Sequence, residues 1–348
     1  MLYPKNSDWI HKQGELKKLS CVKLQIDSAK ENVLRTRRLW RKNLKSILHK
    51  LPYNKNTLEA NLSLLCNSSM YDGNIYALKE VEEKNDGNEF ILKVSNRYSY
   101  FDFVNTCLLL GYEAGYASLK QNSVKNMKVR SSKSFDPFVF TNRAPIVGLI
   151  TLVVLKGFED KDKKKDNENK KKNVFILHKR SDDVAECKNL ISSIPGGTVQ
   201  PVIKDKNMDD DTITLGSTFI REYGEELMGI DEYTELSNPE ELKKIYSEDN
   251  IDDEMYFLGM AVNPINLYLE VMSLIVIDMD VKKSKFTEEA LQALGVRKNN
   301  ETNGDIMFED FNESNINHYA NSHFCTPALK QIMRIVAVNF NEIEKLLV

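Results

Sequence analysis

Three glutamates and an arginine in the C-terminal half of the chain have the spacing that metal-dependent chemistry uses. Glu222, Glu225 and Glu226 stand at positions i, i+3 and i+4, so on an α-helix they share one sector, and Arg221 directly precedes them. Carboxylates at this spacing repel one another, and a divalent cation would relieve the repulsion. Their oxygens suit Mg²⁺ or Mn²⁺. The residues therefore predict a cation site, and an exposed acidic helix face is the alternative without chemistry.

The segment around these carboxylates has the pattern of a strand, a turn and a helix. Gly196 and Gly197 end a predicted strand, and an acidic stretch that includes residues 209–211 separates them from the helix. Four apolar side chains lie within about a third of the helical circumference, away from the carboxylates: Phe219, Ile220, Tyr223 and Leu227. We therefore expect one side of the helix to pack and another to carry the carboxylates.

The segments IPGGTVQP, at 194–201, and STFIREYGEELMGI, at 217–230, together resemble the Nudix box. That box consists of a glycine, a glutamate, then Arg-Glu-apolar-any-Glu-Glu, and a closing glycine before an apolar residue. The resemblance covers the box and its flanking strands, and it extends to poorly characterised bacterial proteins with an extra N-terminal region. It implies an α/β fold with a mixed sheet sandwiched between helices. It also implies a hydrolase that uses Mg²⁺ or Mn²⁺ to cleave a diphosphate linkage in a nucleotide-derived substrate.

The resemblance assigns roles to the charged residues. Glu222, Glu225 and Glu226 match the catalytic, metal-binding glutamates, and Arg221 matches the arginine that orients and neutralises them. Glu225 or Glu226 would act as the base or as a ligand, and the sequence leaves that choice open.

Two glycines and one downstream carboxylate complete the predicted site. Gly197 matches the first glycine of the box and is assigned to substrate binding, and the carbonyl of Gly196 is a further candidate metal ligand. Glu270 is predicted as an additional carboxylate at the substrate, with Asp253 and Glu254 as competing candidates.

The box departs from the family pattern in three places. The stretch between Gly197 and Arg221 is longer than in the family, Ile213 stands where the box has its first glutamate, and one additional residue separates Glu226 from Gly229. Ile213 and the large N-terminal segment support an alternative function, a Nudix domain that binds a nucleotide ligand without turnover and acts as a sensor for a partner or for the N-terminal region. A purely structural role is a third alternative.

The polar stretch 121–142 divides the chain into two predicted domains. Residues 1–138 are predicted to form an α-rich (α+β) accessory or regulatory domain, because helical spacing runs from about 14 to 68 and a short apolar strand follows residue 88. Residues 139–348 are predicted to form the Nudix domain.

The predicted elements of the second domain flank the box on both sides. Apolar runs at 147–156 and 174–179 precede it, and another follows at 267–280, all of them typical of buried strands. A C-terminal helix begins after Thr326 as N-cap, with Pro327 in its first turn. The charged tract between the first two strands is predicted to be a solvated hairpin loop.

Composition limits the class of protein. A hydrophobic fraction of 41% in 348 residues allows a sizeable core, and a net charge of −3 gives no field that would attract nucleic acid. The five cysteines include no CxxC pair, and neither a signal peptide nor an apolar run long enough for a bilayer is present. We expect a cytoplasmic protein that acts on a small molecule without a membrane or nucleic-acid partner. Self-association and the identity of the substrate stay open.

Overall fold

The computed structural model describes residues 10–11, 15–27, 74–99, 140, 145–159, 171–181, 187, 189–200, 214–227, 251–263, 269–279 and 306–348. These residues form two mixed β-sheets with a few helices, so the α/β fold class is confirmed at that level.

A small sheet comes from the N-terminal part of the chain. Its strands are β1 Val22–Asp27, β2 Asn74–Lys84 and β3 Glu89–Ser99, and β3 is central, parallel to β1 and antiparallel to β2. Burial alternates along β3, where Phe90 and Leu92 are buried and Ile91 and Lys93 are partly exposed. One face of the sheet therefore packs on the core and the other meets solvent.

The N-terminal helical prediction is wrong over the residues that form β1. The strand alternates apolar and polar side chains, with Val22, Leu24 and Ile26 separated by polar residues, and this period of two matches a strand. Leu19–Cys21, just before it, form a 3-10 turn. Among the described residues before position 138 there is no α-helix, and the basic helix predicted further along, at 28–68, lies outside them.

The larger sheet contains the strands predicted around the box. Its described strands have the order β10-β5-β4-β9-β8, and β4 and β9 are parallel while the other pairs are antiparallel. β5 pairs with the later part of β4. The short strand β7 pairs with the start of β4, and the short strand β6 pairs with β5. The bounds are β4 Val147–Phe158, β5 Lys172–Lys179, β6 Ile191–Ser193, β7 Gly196–Thr198, β8 Tyr256–Val262, β9 Leu269–Asp278 and β10 Ile306–Asp310.

Helices cover both faces of the larger sheet. They are α1 Leu215–Glu226, α2 Ile251–Glu254, α3 Glu313–Asn321, α4 Pro327–Val338 and α5 Phe340–Leu346. One core cluster joins a face of the sheet to α1 and the small sheet, and a second cluster joins the other face to α3, α4 and α5. None of the helices in the described part of the chain is long and apolar enough to span a membrane.

The strands and the C-terminal helix predicted from the sequence are confirmed. β4, β5 and β9 lie where the apolar runs indicated them, and the hydroxyl of Thr326 accepts a hydrogen bond from the backbone N–H of Leu329 as the N-cap of α4. The helical pattern is interrupted at Asn339, after which α5 begins. The charged tract at 160–170 lies outside the described residues.

Residues from both sides of the predicted domain boundary share one core. Leu19 and Phe90 are fully buried in the same cluster as Val153 of β4. The backbone N–H of Leu78 also donates to the carbonyl of Pro145 at 2.8 Å. The boundary at 138/139 stays a prediction, and each of the two segments buries apolar surface of the other.

Candidate functional site

The carboxylate helix α1 begins at a capping box. The hydroxyl of Thr214 accepts from the backbone N–H of Ser217 at 3.1 Å, and the backbone N–H of Thr214 donates to the hydroxyl of Ser217 at 3.0 Å. This reciprocal pair satisfies two backbone donors that a helix start leaves without partners. The helix therefore begins at Leu215 and runs to Glu226.

Burial excludes an ordinary exposed acidic face on α1. The helix contacts strands of both sheets, and within it only Ser217 and Glu225 are less than fully buried. Glu222 and Glu226 are 7% and 5% exposed. Buried ionised groups are costly unless they are paired and hydrogen-bonded, so these carboxylates need specific partners.

Arg221 supplies partners for two of the three carboxylates. Its Nη2 donates to Oε1 of Glu222 and, at 2.8 Å, to the backbone carbonyl of Thr198, while Nη1 donates to Oε2 of Glu225 at 3.1 Å. These are charge-assisted hydrogen bonds from one planar guanidinium. Arg221 therefore orients Glu222 and Glu225 and ties α1 to β7.

The pairing of β7 explains why its backbone meets α1. The backbone N–H of Thr151 donates to the carbonyl of Pro195, and that of Val199 donates to the carbonyl of Val147. In an antiparallel pair the backbone groups of the intervening alternate residues point away from the neighbouring strand. The N–H of Gly196 and the carbonyl of Thr198 therefore point away from β4, and side chains of α1 bind them.

The glycine pair lies directly against the carboxylates. The backbone N–H of Gly196 donates to Oε2 of Glu226 at 3.0 Å, which places the Gly196 carbonyl on the same side of β7. A Cβ built on Gly197 would overlap the carboxylate of Glu222. Glycine at 197 therefore leaves the space that the Glu222 carboxylate occupies beside β7.

The predicted downstream carboxylate lies on the other face of the sheet. Glu270 is buried on β9, between Gly148 of β4 and Ala261 of β8 in the register. Its neighbours Leu269 and Val271 belong to the core cluster on the α1 face, so alternation directs Glu270 to the face covered by the C-terminal helices. The structure thus brings Arg221, the three box glutamates and both glycines together, without Glu270.

A buried acidic residue beside α1 was not predicted from the sequence as part of the site. Of the three acidic residues in α2, Asp253 and Glu254 are exposed, whereas Asp252 is buried, and its Oδ1 accepts a 2.7 Å hydrogen bond from the backbone N–H of Gly216. Burial raises the pKa of the Asp252 carboxyl above its usual value. When acidic residues are adjacent, the sequence does not indicate which of them is buried.

The carboxylate oxygens are the kind of ligand that a hard cation prefers, but in the structure they are oriented by hydrogen bonds from other groups of the protein. Within the described ranges, no three His, Cys, Asp or Glu side chains are grouped as they would be around a metal ion. Arg221 and the Gly196 N–H bind the three glutamates instead. Ile213, Gly229 and the acidic stretch at 209–211 lie outside the described residues.

No protein-family model and no curated protein matches the chain.

Proposed function

We propose that α1 and β7 form the active site of a Nudix-type hydrolase domain. The enzyme would cleave a diphosphate linkage in a nucleotide-derived small molecule, in the cytoplasm, with Mg²⁺ or Mn²⁺. The supporting observation is the contact between glycines and carboxylates, in which Gly196 binds Glu226 and Gly197 leaves no space for a side chain beside Glu222. The box resemblance requires these glycines and glutamates in one site, and here they are adjacent despite the long insertion between them.

The donor set fits Mg²⁺ or Mn²⁺. Glu222, Glu225 and Glu226 would hold the ion together with the carbonyl of Gly196, and all of these donors are hard oxygen ligands. The bound ion would neutralise charge on the diphosphate oxygens. Because Arg221 binds Glu225 and Glu222, cation binding would compete with these hydrogen bonds, and the carboxylates would have to turn toward the ion.

Glu225 is the best candidate for the base. Glu225 is half-buried, whereas the other candidate, Glu226, is only 5% exposed. A base must reach the water whose proton it accepts, so the more exposed carboxylate has the advantage. The oxygen of that water would attack phosphorus, its proton would pass to Glu225, and the bond from phosphorus to the bridging oxygen would break. Arg221 would hold the Glu225 carboxylate in orientation.

Product release from a defined substrate panel tests this function. The purified protein is incubated with ADP-ribose, a dinucleoside polyphosphate, a nucleotide sugar and modified nucleoside triphosphates, with and without Mg²⁺ or Mn²⁺. We expect metal-dependent cleavage of at least one, and its loss in Glu225→Gln. Glu254→Gln, which changes an exposed carboxylate on α2, is the matched control. Absence of cleavage across the panel with either metal would refute the enzymatic proposal.

A nucleotide sensor is the second candidate. It is favoured by the engagement of the box glutamates with Arg221 and with the Gly196 N–H, in an arrangement that needs no cation. Ile213 in place of the first box glutamate points in the same direction. A sensor would bind a member of the same panel in calorimetry and release no product.

A further inference from the structure

The N-terminal end of α1 is fixed by a buried carboxylate from a different part of the chain. Oδ1 of Asp252 accepts from the backbone N–H of Gly216 at 2.7 Å, and the side chain of Thr214 also hydrogen-bonds to Asp252. Asp252 is 6% exposed. The start of α1 is therefore bonded to α2 as well as capped by its own residues.

Close packing accompanies this contact. A Cβ added to Gly216 would overlap the side chain of Ile251, so a larger residue here would force α1 and α2 to adjust. At the other end, Arg221 binds the Thr198 carbonyl and Glu226 binds the Gly196 N–H. α1 is consequently held at two ends by two different partners.

The residue after α2 connects this contact to the N-terminal segment. The backbone N–H of Met255 donates to the carbonyl of Ile251 at 3.1 Å, and the carbonyl of Met255 accepts from the N–H of Leu19 at 2.9 Å. The N–H of Phe257 donates to the carbonyl of Lys17 at 2.8 Å. A continuous series of bonded groups thus leads from the N-terminal segment through α2 to α1.

We infer that Asp252 is a positioning residue for the carboxylates of α1. Functional groups must be held to within about 0.5 Å of their working geometry, so even a small shift of α1 would matter for the carboxylates that it carries. The part of the inference that concerns metal binding rests on the proposed function. The part that concerns the placement of α1 does not.

If Asp252 were only a cap of α1, its replacement would affect only the first turn of the helix. Hydrogen exchange distinguishes a cap from a residue that positions the whole helix. In the full-length protein, Asp252→Ala should accelerate amide exchange throughout α1, including residues 221–226. Asp252→Asn keeps an acceptor oxygen and should exchange as the unaltered protein does. Asp253→Asn, at the exposed neighbour on the same helix, is the matched control. Acceleration confined to residues 214–218 would reduce Asp252 to a helix cap, and equal behaviour of the Asn and Ala variants would refute the hydrogen-bonding role.

Mn²⁺ affinity, measured by the electron paramagnetic resonance of the free ion, tests the functional part. We expect Asp252→Ala to weaken Mn²⁺ binding by roughly 10- to 100-fold, as for groups that orient metal ligands, and Asp252→Asn to preserve it. An unchanged affinity in Asp252→Ala would overturn this part. If the unaltered protein bound no Mn²⁺, the proposed function would fail, while exchange would still decide whether Asp252 places α1.

A second variant covers the case in which Asp252→Ala does not fold. Gly216→Ala keeps the Asp252 side chain but places the added methyl group against Ile251 and the Asp252 carboxyl, which would separate α1 from α2. It should reproduce the accelerated exchange at 221–226. Normal exchange there would show that the position of α1 does not depend on this contact.

Discussion

The backbone N–H of Gly196 donates a 3.0 Å hydrogen bond to Oε2 of Glu226, thirty residues further along the chain. The bond joins β7 to the last turn of α1 and gives a buried carboxylate a fixed orientation. It also places the glycine pair of the box in the same site as its glutamates.

The two glycines of the box should differ in their tolerance of a methyl group. Gly197→Ala would drive a Cβ into the Glu222 carboxylate, so we expect a loss of about 1–3 kcal/mol in the free energy of unfolding. A Cβ at Gly196 would meet Ile150 at 3.4 Å and the Leu149 carbonyl at 3.6 Å, which are ordinary contacts, so Gly196→Ala serves as the control. Urea unfolding of both variants measures the difference, and equal stabilities would contradict the close approach of β7 and α1.

Arg221 should contribute to stability as well as to the site. Arg221→Met would leave the buried Glu222 without its cationic partner, and breaking a buried pair in this way costs about 3–5 kcal/mol. The double variant Arg221→Met, Glu222→Gln removes the unpaired charge and should recover part of the loss. If the double variant were as unstable as the single one, Arg221 would stabilise the fold through packing of its aliphatic stem and not through its charge.

Mg²⁺ or Mn²⁺ should stabilise the protein through the box glutamates. A cation that binds only the folded state at a hundred times its Kd adds about 2.7 kcal/mol. Thermal melts with and without metal should show a shift that the variant Glu225→Gln, Glu226→Gln lacks. The cation assignment fails if metal leaves the wild-type midpoint unmoved, or raises both midpoints equally.

His178 should make the protein sensitive to mild acid. Burial, with a smaller effect of Arg180, lowers its pKa from 6.5 to about 3. As the pH falls, the unfolded chain therefore takes up this proton at a higher pH than the folded protein does. The stability that comes from keeping His178 neutral is complete above pH 6.5 and is lost progressively as the pH falls toward 3. The loss is about 1.4 kcal/mol per pH unit.

Comparison of unfolding free energies at pH 7.5 and pH 5 checks this effect. His178→Gln should remove about 2 kcal/mol of the pH dependence, the value for a proton displaced over roughly 1.5 pH units. His318→Gln, at an exposed histidine on α3, is the matched control. The same pH dependence in all three proteins would rule out His178 as the cause.

Removal of residues 1–138 should unfold the remainder or leave it loosely packed. Leu19 and Phe90 fill the core cluster that also contains Phe257, and the Phe90 and Phe257 ring centroids lie 5.6 Å apart. Near-ultraviolet circular dichroism and dye binding would report the loss of packing. Replacement of the charged residues 160–170 by a short Gly-Ser turn is the control and should change neither signal. A well-packed chain starting at 139 would instead support two independent domains.

Local periodicity predicted the elements that flank the site. The sequence indicates each of these elements within a few residues, through the apolar runs of β4, β5 and β9 and through the spacing of Phe219 and Tyr223 on α1. The cap of α4 at Thr326 is equally local. Such features depend on neighbours along the chain, which the sequence displays directly.

Features that depend on distant partners could not be predicted in this way. The face on which Glu270 lies follows from strand register, and a shift of one residue would reverse it. Asp252 differs from Asp253 in its burial and in the hydrogen bond that it accepts from Gly216, 36 residues earlier in the chain. Burial of α1 between two sheets likewise depends on strands that the N-terminal residues form.

The long-range contacts around α1 also bear on how fast the site can form. Leu19 bonds to Met255, and Thr151 of β4 contacts Ser273 of β9 across 122 residues of chain. Contacts between residues so far apart require large loops to close, and proteins dominated by them fold slowly. During synthesis the N-terminal segment emerges long before β8 and Met255, which it contacts. We therefore expect the carboxylate site to be completed late in folding, after β8 and β9 have joined the sheet.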